Sequence, residues 1–414
     1  MKWDMEIVHE RAVGMDISKS DAKVCLREPG PEPGSFTSTV TTWGSTTNQI
    51  LALRSFLEQS NVTTVVMEAT SDYWKPFYYV LEGTLPVKLV NAKDVKNFRG
   101  HKTDVADAKW LAQLAAFGLL RESFVPPEPI RILRDLTRTR TKITQDRTRE
   151  IQRLEKFLES SGIKLSNYVS ELNGVASTAM LRALVDGERD PKALAALGHA
   201  LKASPAELVE ALTGRFTDHH GFVVKDHLDQ IDTFSIRINE YTRRIDDAIG
   251  PLRAFRDALN TIPGVGNLVA DIILAETGGD MATFPTPDQL ASWAGVCPGN
   301  NRSAGRSKSS KTLPGNSYLK GALGVAATSI SHSHNSFLAD RYRRLVQHRG
   351  RMKAIVAIEH SILIAVWHML STGEVYLELG ADYHQRRDTD RAQKTAIRQL
   401  NRLGFTVVLT PAAA

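Results

Sequence analysis

Four acids and one serine have the types and spacing that suit chemistry in this sequence. Asp16 closes a short apolar run, Arg11–Ile17, and Glu68 directly follows another, Val62–Met67. If both runs are strands, two carboxylates stand at strand ends, and open α/β sheets bind ligands beyond that edge. Asp104 and Asp107 lie three apart in Thr103–Lys109, where a starting helix would point both from one face. Four converging carboxylates suit phosphoryl transfer, in which two divalent ions ~3.5–4 Å apart clamp the attacking and leaving oxygens. Ligands that are all oxygen select Mg²⁺ or Mn²⁺ over zinc. Taken alone, Asp104 and Asp107 would also complement a helix dipole with Thr103 as cap, and Asp16 or Glu68 would be a turn acid. It is the set of four, at fitting places of one fold order, that points to metal.

The serine lies in Cys297–Lys308, which reads CPGNNRSAGRSK. A hydroxyl between arginines suits attack on a phosphodiester, because guanidinium groups stabilise the developing charge. On residue type alone Ser307, Ser309 and Ser310 compete for this role, Tyr318 is an outside candidate, and a Ser/Gly/Lys loop of this kind is far more often a phosphate contact than a nucleophile. Upstream, Ile262-Pro263-Gly264-Val265-Gly266 precedes an apolar helix and predicts a helix-hairpin-helix, whose backbone amides at Gly264 and Gly266 can meet a phosphate. The plain alternative is a Gly-Pro turn between packed helices. From Gln289 to Ile358 eleven Lys or Arg, among them Arg302, Arg306, Lys308 and Lys311, face one acid, Asp340. The whole chain has a net charge of only +6, so this stretch concentrates the excess and reads as a footprint for a polyanion.

These residues need elements to hold them. Arg11–Ile17, Ala22–Arg27 and Phe36–Thr42 read as a strand meander. Helix Thr46–Gln59, strand Val62–Met67, helix Tyr73–Leu81 and strand Val87–Val90 follow, which is a ribonuclease-H-like order. Pro126, Pro127 and Pro129 end that unit. Long helical stretches at Ile130–Ser160 and Val224–Ile249 have spacings of three and four that suit an antiparallel pair or dimerising coiled coil, with Arg140 and Arg147 interrupting the heptads. The predicted fold class is therefore α/β plus all-α. Residues 1–125 form the acid-bearing domain, 126–253 a coiled-coil linker with a small helical insert at Asn173–Phe216, and 254–370 a mostly helical domain. Residues 371–414 form a tail.

At 414 residues the chain exceeds one ordinary domain, and 42% hydrophobic with 24% charged residues argues against wholesale disorder. No unbroken apolar run reaches membrane-spanning length, and the first residues lack a signal-peptide core. Two cysteines, Cys25 and Cys297, build neither a disulfide framework nor a cysteine zinc site, which suits a reducing cytoplasm. A cytoplasmic, nucleoid-associated protein without a membrane partner is expected.

The sequence resembles the DEDD-type insertion-sequence transposases, described as bridge-RNA-guided serine recombinases. The resemblance rests on GMDISKSDAKVCL, VVMEATSDYW and HKTDVADAKWLA in the first part, and on IPGVG, LASWAGVCPGNNRSAGRS and GNSYLKGAL in the last. It implies a RuvC-like domain whose acids, Asp16, Glu68, Asp104 and Asp107, bind divalent metal. It implies a covalent phosphoserine link to DNA at Ser303, with Arg306 where the family commonly has lysine. It also implies donor and target DNA and a noncoding bridge RNA as partners, and a homo-oligomer, a dimer assembling to a tetramer. The acids would then meet Ser303 in a composite site. Two rivals remain: a Holliday-junction-type nuclease with the same acids and water as nucleophile, and a non-enzymatic nucleic-acid scaffold.

Overall fold

The computed structural model describes residues 6–32, 34–91, 103–299, 301–303, 306–309 and 311–408, and omits the side chains of 301–303, 307–308, 384–388 and 390–392. The chain divides into two compact units, Met1–Val125 and Pro126–Ala414.

The first unit follows the predicted order of elements. Strands β1 (Ala12–Ile17), β2 (Asp21–Pro29) and β3 (Phe36–Gly44) form an antiparallel meander, and β4 (Thr64–Glu68) and β5 (Val87–Val90) continue the sheet in parallel on the other side of β1. The sheet order is β3-β2-β1-β4-β5. Strand alternation assigns the two faces. Met15, Ile17, Val24, Leu26, Val65 and Met67 pack with helices α1 (Thr47–Gln59) and α2 (Trp74–Leu81) in the main core. The opposite register, Ala12, Cys25 and Val66, meets helix α3 (Asp104–Ala116). One face therefore holds the core and the other receives the helix that carries two of the acids.

The second unit is mostly helical. Helix α4 (Glu128–Ser161) and helix α8 (Asp218–Ala248) lie antiparallel, as shown by Glu150 meeting His227 and Arg147 donating to Ser235. Between them α5 (Val175–Val185), α6 (Pro191–Ala196) and α7 (Pro205–Leu212) close around their own apolar core with Leu154, Leu158, Val224 and Leu228. The heptad interruption at Arg140 has a specific cause. The first half of α4 packs on helix α10 (Asn267–Thr277), and Arg140 is buried there opposite Asp271 at 3.6 Å. Helix α9 (Arg253–Leu259) precedes α10, and α11 (Pro287–Ala294), the hairpin β6 (Asn301–Ser303) and β7 (Arg306–Ser309), α12 (Ser317–Ser331), α13 (Phe337–Arg349), α14 (Arg351–Thr372) and α15 (Tyr383–Arg402) follow. Helix α14 is long and apolar enough to cross a membrane by length and composition, although no unbroken apolar run marks it. It packs against α9, α11, α12 and α13, as a core helix does.

Glu276 on α10 is fully buried and ties three elements together. Arg138 of α4 donates to both its oxygens at 2.7 Å, and Asn316, the cap of α12, donates to Oε2 at 2.7 Å. Arg134 adds bonds to the Ala275 and Glu276 carbonyls at 3.0 and 2.7 Å. Removing one member of a buried ion pair leaves its partner desolvated and uncompensated. Glu276→Ala is expected to destabilise the second unit by about 3–5 kcal/mol. Glu276→Leu with Arg138→Met should recover most of that loss. Urea unfolding of the full chain checks both.

Candidate active site

The four acids come from three elements of the first unit, and local structure accounts for each position. Asp16 lies near the end of the central strand β1, and β1 runs parallel beside β4 with Met15 opposite Met67. Asp16 and Glu68 thus follow as neighbours at the carboxyl ends of adjacent strands. Alternation turns both to the side of Ala12 and Val66, which α3 covers. Thr103 caps α3 by accepting from the Ala106 amide at 3.3 Å, and Asp104 and Asp107 occupy the first turn.

The electrostatics of Asp16 register the other three acids. Its carboxyl is pushed up to about 6, first by burial and then by the negative charges of Asp104, Asp107 and Glu68. Among the described residues, the side-chain charges acting on it are these three acids. Lys23 stands directly across the β1–β2 pair from Asp16, yet its ammonium bonds Asp21 and Thr42, both at 3.2 Å. This neighbour was not legible in the sequence, because cross-strand register carries no local signal. Among the described residues no group of three or more His, Cys, Asp or Glu side chains encloses an ion position. Like charges this near repel one another, and a divalent cation is the partner whose charge would offset them. The all-oxygen donor set and the raised Asp16 carboxyl fit a hard divalent cation.

The candidates in the second unit lie along α9–α12. The turn Asn260–Gly266 joins α9 to α10, as both the helix-hairpin-helix and the plain Gly-Pro turn between packed helices require. Gly264 has φ +78°, and a Cβ there would come within 2.7 Å of the Ala326 carbonyl on α12. Its role is thus partly packing. Gly266 caps α10 and a Cβ there would meet open space. Ser303 ends β6, its backbone in register with Arg306 of β7. The side chains of Arg302, Ser303, Ser307 and Lys308, and the whole of Ser310, lie outside the described residues. Arg306 and Lys311 are exposed. Below the hairpin the Gly299 amide donates to the Lys311 carbonyl at 3.1 Å, and Pro298 bridges Thr312. Lys320 donates to the Thr312 hydroxyl at 2.7 Å. Tyr318 sits under the Arg138 guanidinium, 4.7 Å from its ring centre.

Comparison with known proteins agrees with these two groupings. Residues 13–162, which span all four acids, match a transposase family of DEDD, IS110 type. Residues 256–343, which span the hairpin and the serine segment, match the transposase IS116/IS110/IS902 family. Together the two matches cover more than half of the chain. The chain belongs to the IS110 family of transposases. It is therefore an enzyme that cuts and rejoins DNA. Over 309 residues this transposase is 27% identical to the 42 kDa protein of insertion element IS900 from Mycobacterium paratuberculosis, covering 68% of this chain and 74% of that one. Over 144 residues it is 27% identical to the 43.6 kDa protein of insertion element IS110 from Streptomyces coelicolor, covering 34% of this chain and 35% of that one.

The raised Asp16 carboxyl has a thermodynamic consequence with a definite sign. The folded state holds this proton more tightly than the unfolded state. The fold is therefore unpenalised well below pH 4 and loses stability as pH rises through about 6. In chelator at neutral pH, Asp16→Asn is expected to be more stable than wild type by about 1–2 kcal/mol, after allowance for solvent screening. The two melting curves should converge toward pH 4. Thermal unfolding between pH 4 and 8 reads this.

Proposed function

We propose that this transposase cuts and rejoins DNA through a covalent phosphoserine intermediate, with Ser303 as nucleophile. Asp16, Glu68, Asp104 and Asp107, in a RuvC-like domain spanning residues 1–125, hold Mg²⁺ or Mn²⁺. The observation that carries the metal assignment is the joint action of the other three acids on Asp16. The bound ion would supply Lewis-acid stabilisation of negative charge on the phosphoryl group. Ser303 Oγ forms a bond to phosphorus as the bond to one deoxyribose oxygen breaks. The hydroxyl proton is lost, and the departing oxygen takes one up. Arg302 and Arg306 offset the charge that develops on the phosphoryl oxygens. The ester conserves the energy of the broken bond, so attack by a second DNA hydroxyl restores the serine and joins new ends.

The remaining parts divide the binding. The α9–α10 hairpin with Gly264 and Gly266, together with Lys308 and Lys311, contacts the DNA backbone without reading sequence. Sequence choice rests with an element-encoded bridge RNA that pairs with donor and target DNA, a division seen in other guided enzymes. The linker, residues 126–253, serves dimerisation and assembly toward a tetramer. Residues 254–370 form the transposase domain.

The nucleophile is tested on denaturing gels with labelled element ends. Wild type is expected to give a protein-linked strand, and Ser303→Ala none, with RNA binding retained. Adducts that persist in Ser303→Ala would exclude this serine, and metal-dependent nicking without any adduct would favour the water-using nuclease. Glu68→Gln should lower cleavage by about 10²–10³-fold.

A further inference from the structure

Helix α3 lies so close to β1 that no side chain fits between them at position 14. A Cβ on Gly14 would stand 2.3 Å from the Ala108 carbonyl oxygen, 2.3 Å from the Ala112 nitrogen and 2.7 Å from the Leu111 Cβ. Two of these three atoms are helix backbone, so no rotamer change relieves the overlap and α3 itself would have to move. The rest of the seam is small as well: Ala12, Cys25, Ala108 and Ala112 are fully buried.

This contact is in step with the acids. Gly14 and Asp16 share a strand face, and two residues advance the strand by about 6.6 Å. Asp104 and Ala108 share a helix face, and four residues advance the helix by about 6 Å. The two elements run in opposite directions, since Ala12 packs with Leu111, Ala115 and Ala116 while Gly14 meets Ala108–Ala112. Seating Gly14 on Ala108 therefore brings the start of α3, with Asp104 and Asp107, to Asp16.

We propose that Gly14 is the positioning residue of the acid quartet: its missing side chain lets α3 sit close enough on β1 for the Asp104–Asp107 pair to close with Asp16 on a small divalent ion. The proposal rests on the metal reading above and adds to it the element that fixes the span of the ligands. A methyl group at position 14 would push α3 outward by about 1 Å to regain ordinary contact. Mg²⁺ demands oxygens at about 2.0–2.1 Å in near-ideal octahedral geometry, whereas Ca²⁺ accepts 2.3–2.6 Å and variable geometry. Widening the seam should therefore weaken binding of the small ion much more than that of Ca²⁺.

The test uses the full chain stripped with chelator, with thermal unfolding followed during titration with MnCl₂ or CaCl₂. Wild type is expected to gain stability with Mn²⁺. Gly14→Ala is expected to need at least about tenfold more Mn²⁺ for the same gain, the scale found when support of metal ligands is lost, while its Ca²⁺ midpoint moves far less. Ala108→Ser and Ala112→Ser widen the seam from the helix side and should shift the Mn²⁺ midpoint in the same direction by less. They decide the matter if Gly14→Ala does not fold. Ala12→Val, which overpacks the far end of the seam, should keep the wild-type midpoint. A wild-type Mn²⁺ midpoint in folded Gly14→Ala, or in both serine variants, overturns the proposal, as does an equal loss in Ala12→Val. A wild-type chain with no Mn²⁺ response removes the metal reading and this proposal together.

Discussion

The burial of one carboxylate near three other acids is a constraint that the first unit must offset. Asp16 is half-buried on the central strand, with its carboxyl raised first by that burial and then by Asp104, Asp107 and Glu68. Holding this carboxyl at about 6 corresponds to at most roughly 3 kcal/mol for burial and repulsion together, and to less after solvent screening. Burying one leucine or phenylalanine contributes about 1.5–3 kcal/mol, and Leu53, Leu57, Phe77 and Leu81 are all fully buried in the core on the opposite face. The core therefore offsets the repulsion several times over. The sheet can hold like charges together because its stability is generated on the other side.

The second unit treats its buried acids differently. Asp271 is raised by burial as Asp16 is, but Arg140 and Arg256 stand 3.6 and 3.7 Å away and pull it back. Glu276 is more deeply buried still and is held by a bidentate arginine and an asparagine amide. Buried acids kept for architecture are paired with cations from a neighbouring helix. An acid such as Asp16, whose carboxyl is acted on by other acids while the nearby Lys23 bonds elsewhere, is suited to a cationic partner. Glu359 on α14 lies between these cases, buried and raised, with Lys320 as the opposing charge. The same unfavourable burial thus carries opposite meanings, and the company of each group decides which applies.

How much of this was legible in the sequence follows from the range of each signal. Val87–Val90 forms the strand read from its apolar run, and Glu68 ends β4 as the run before it suggests. Both signals are local. Arg140 looked like a fault in a heptad because periodicity counts apolar positions without naming the surface they meet. The structure turns that part of α4 toward α10, where the arginine finds Asp271. Lys23 and Gly14 were silent for a related reason. One depends on antiparallel register and the other on how closely a helix ninety residues away approaches, and neither leaves a mark in nearby residue types.

The serine segment shows how a flexible composition can be held at its base. Cys297–Lys308 is rich in small and polar residues, which alone would fix no geometry. Its ends are fixed by the Gly299–Lys311 backbone bond and the Pro298–Thr312 bridge, and Thr312 is bonded in turn to Lys320 of α12. The cap of that helix, Asn316, bonds Glu276, and Glu276 bonds Arg138 of α4. An unbroken run of short polar contacts therefore leads from the long helix to the base of the hairpin that ends in Ser303. A site is most exact when rigid elements carry it. Here the base of the hairpin is tied, through Thr312, Lys320 and Asn316, to a buried carboxylate and the arginine that neutralises it.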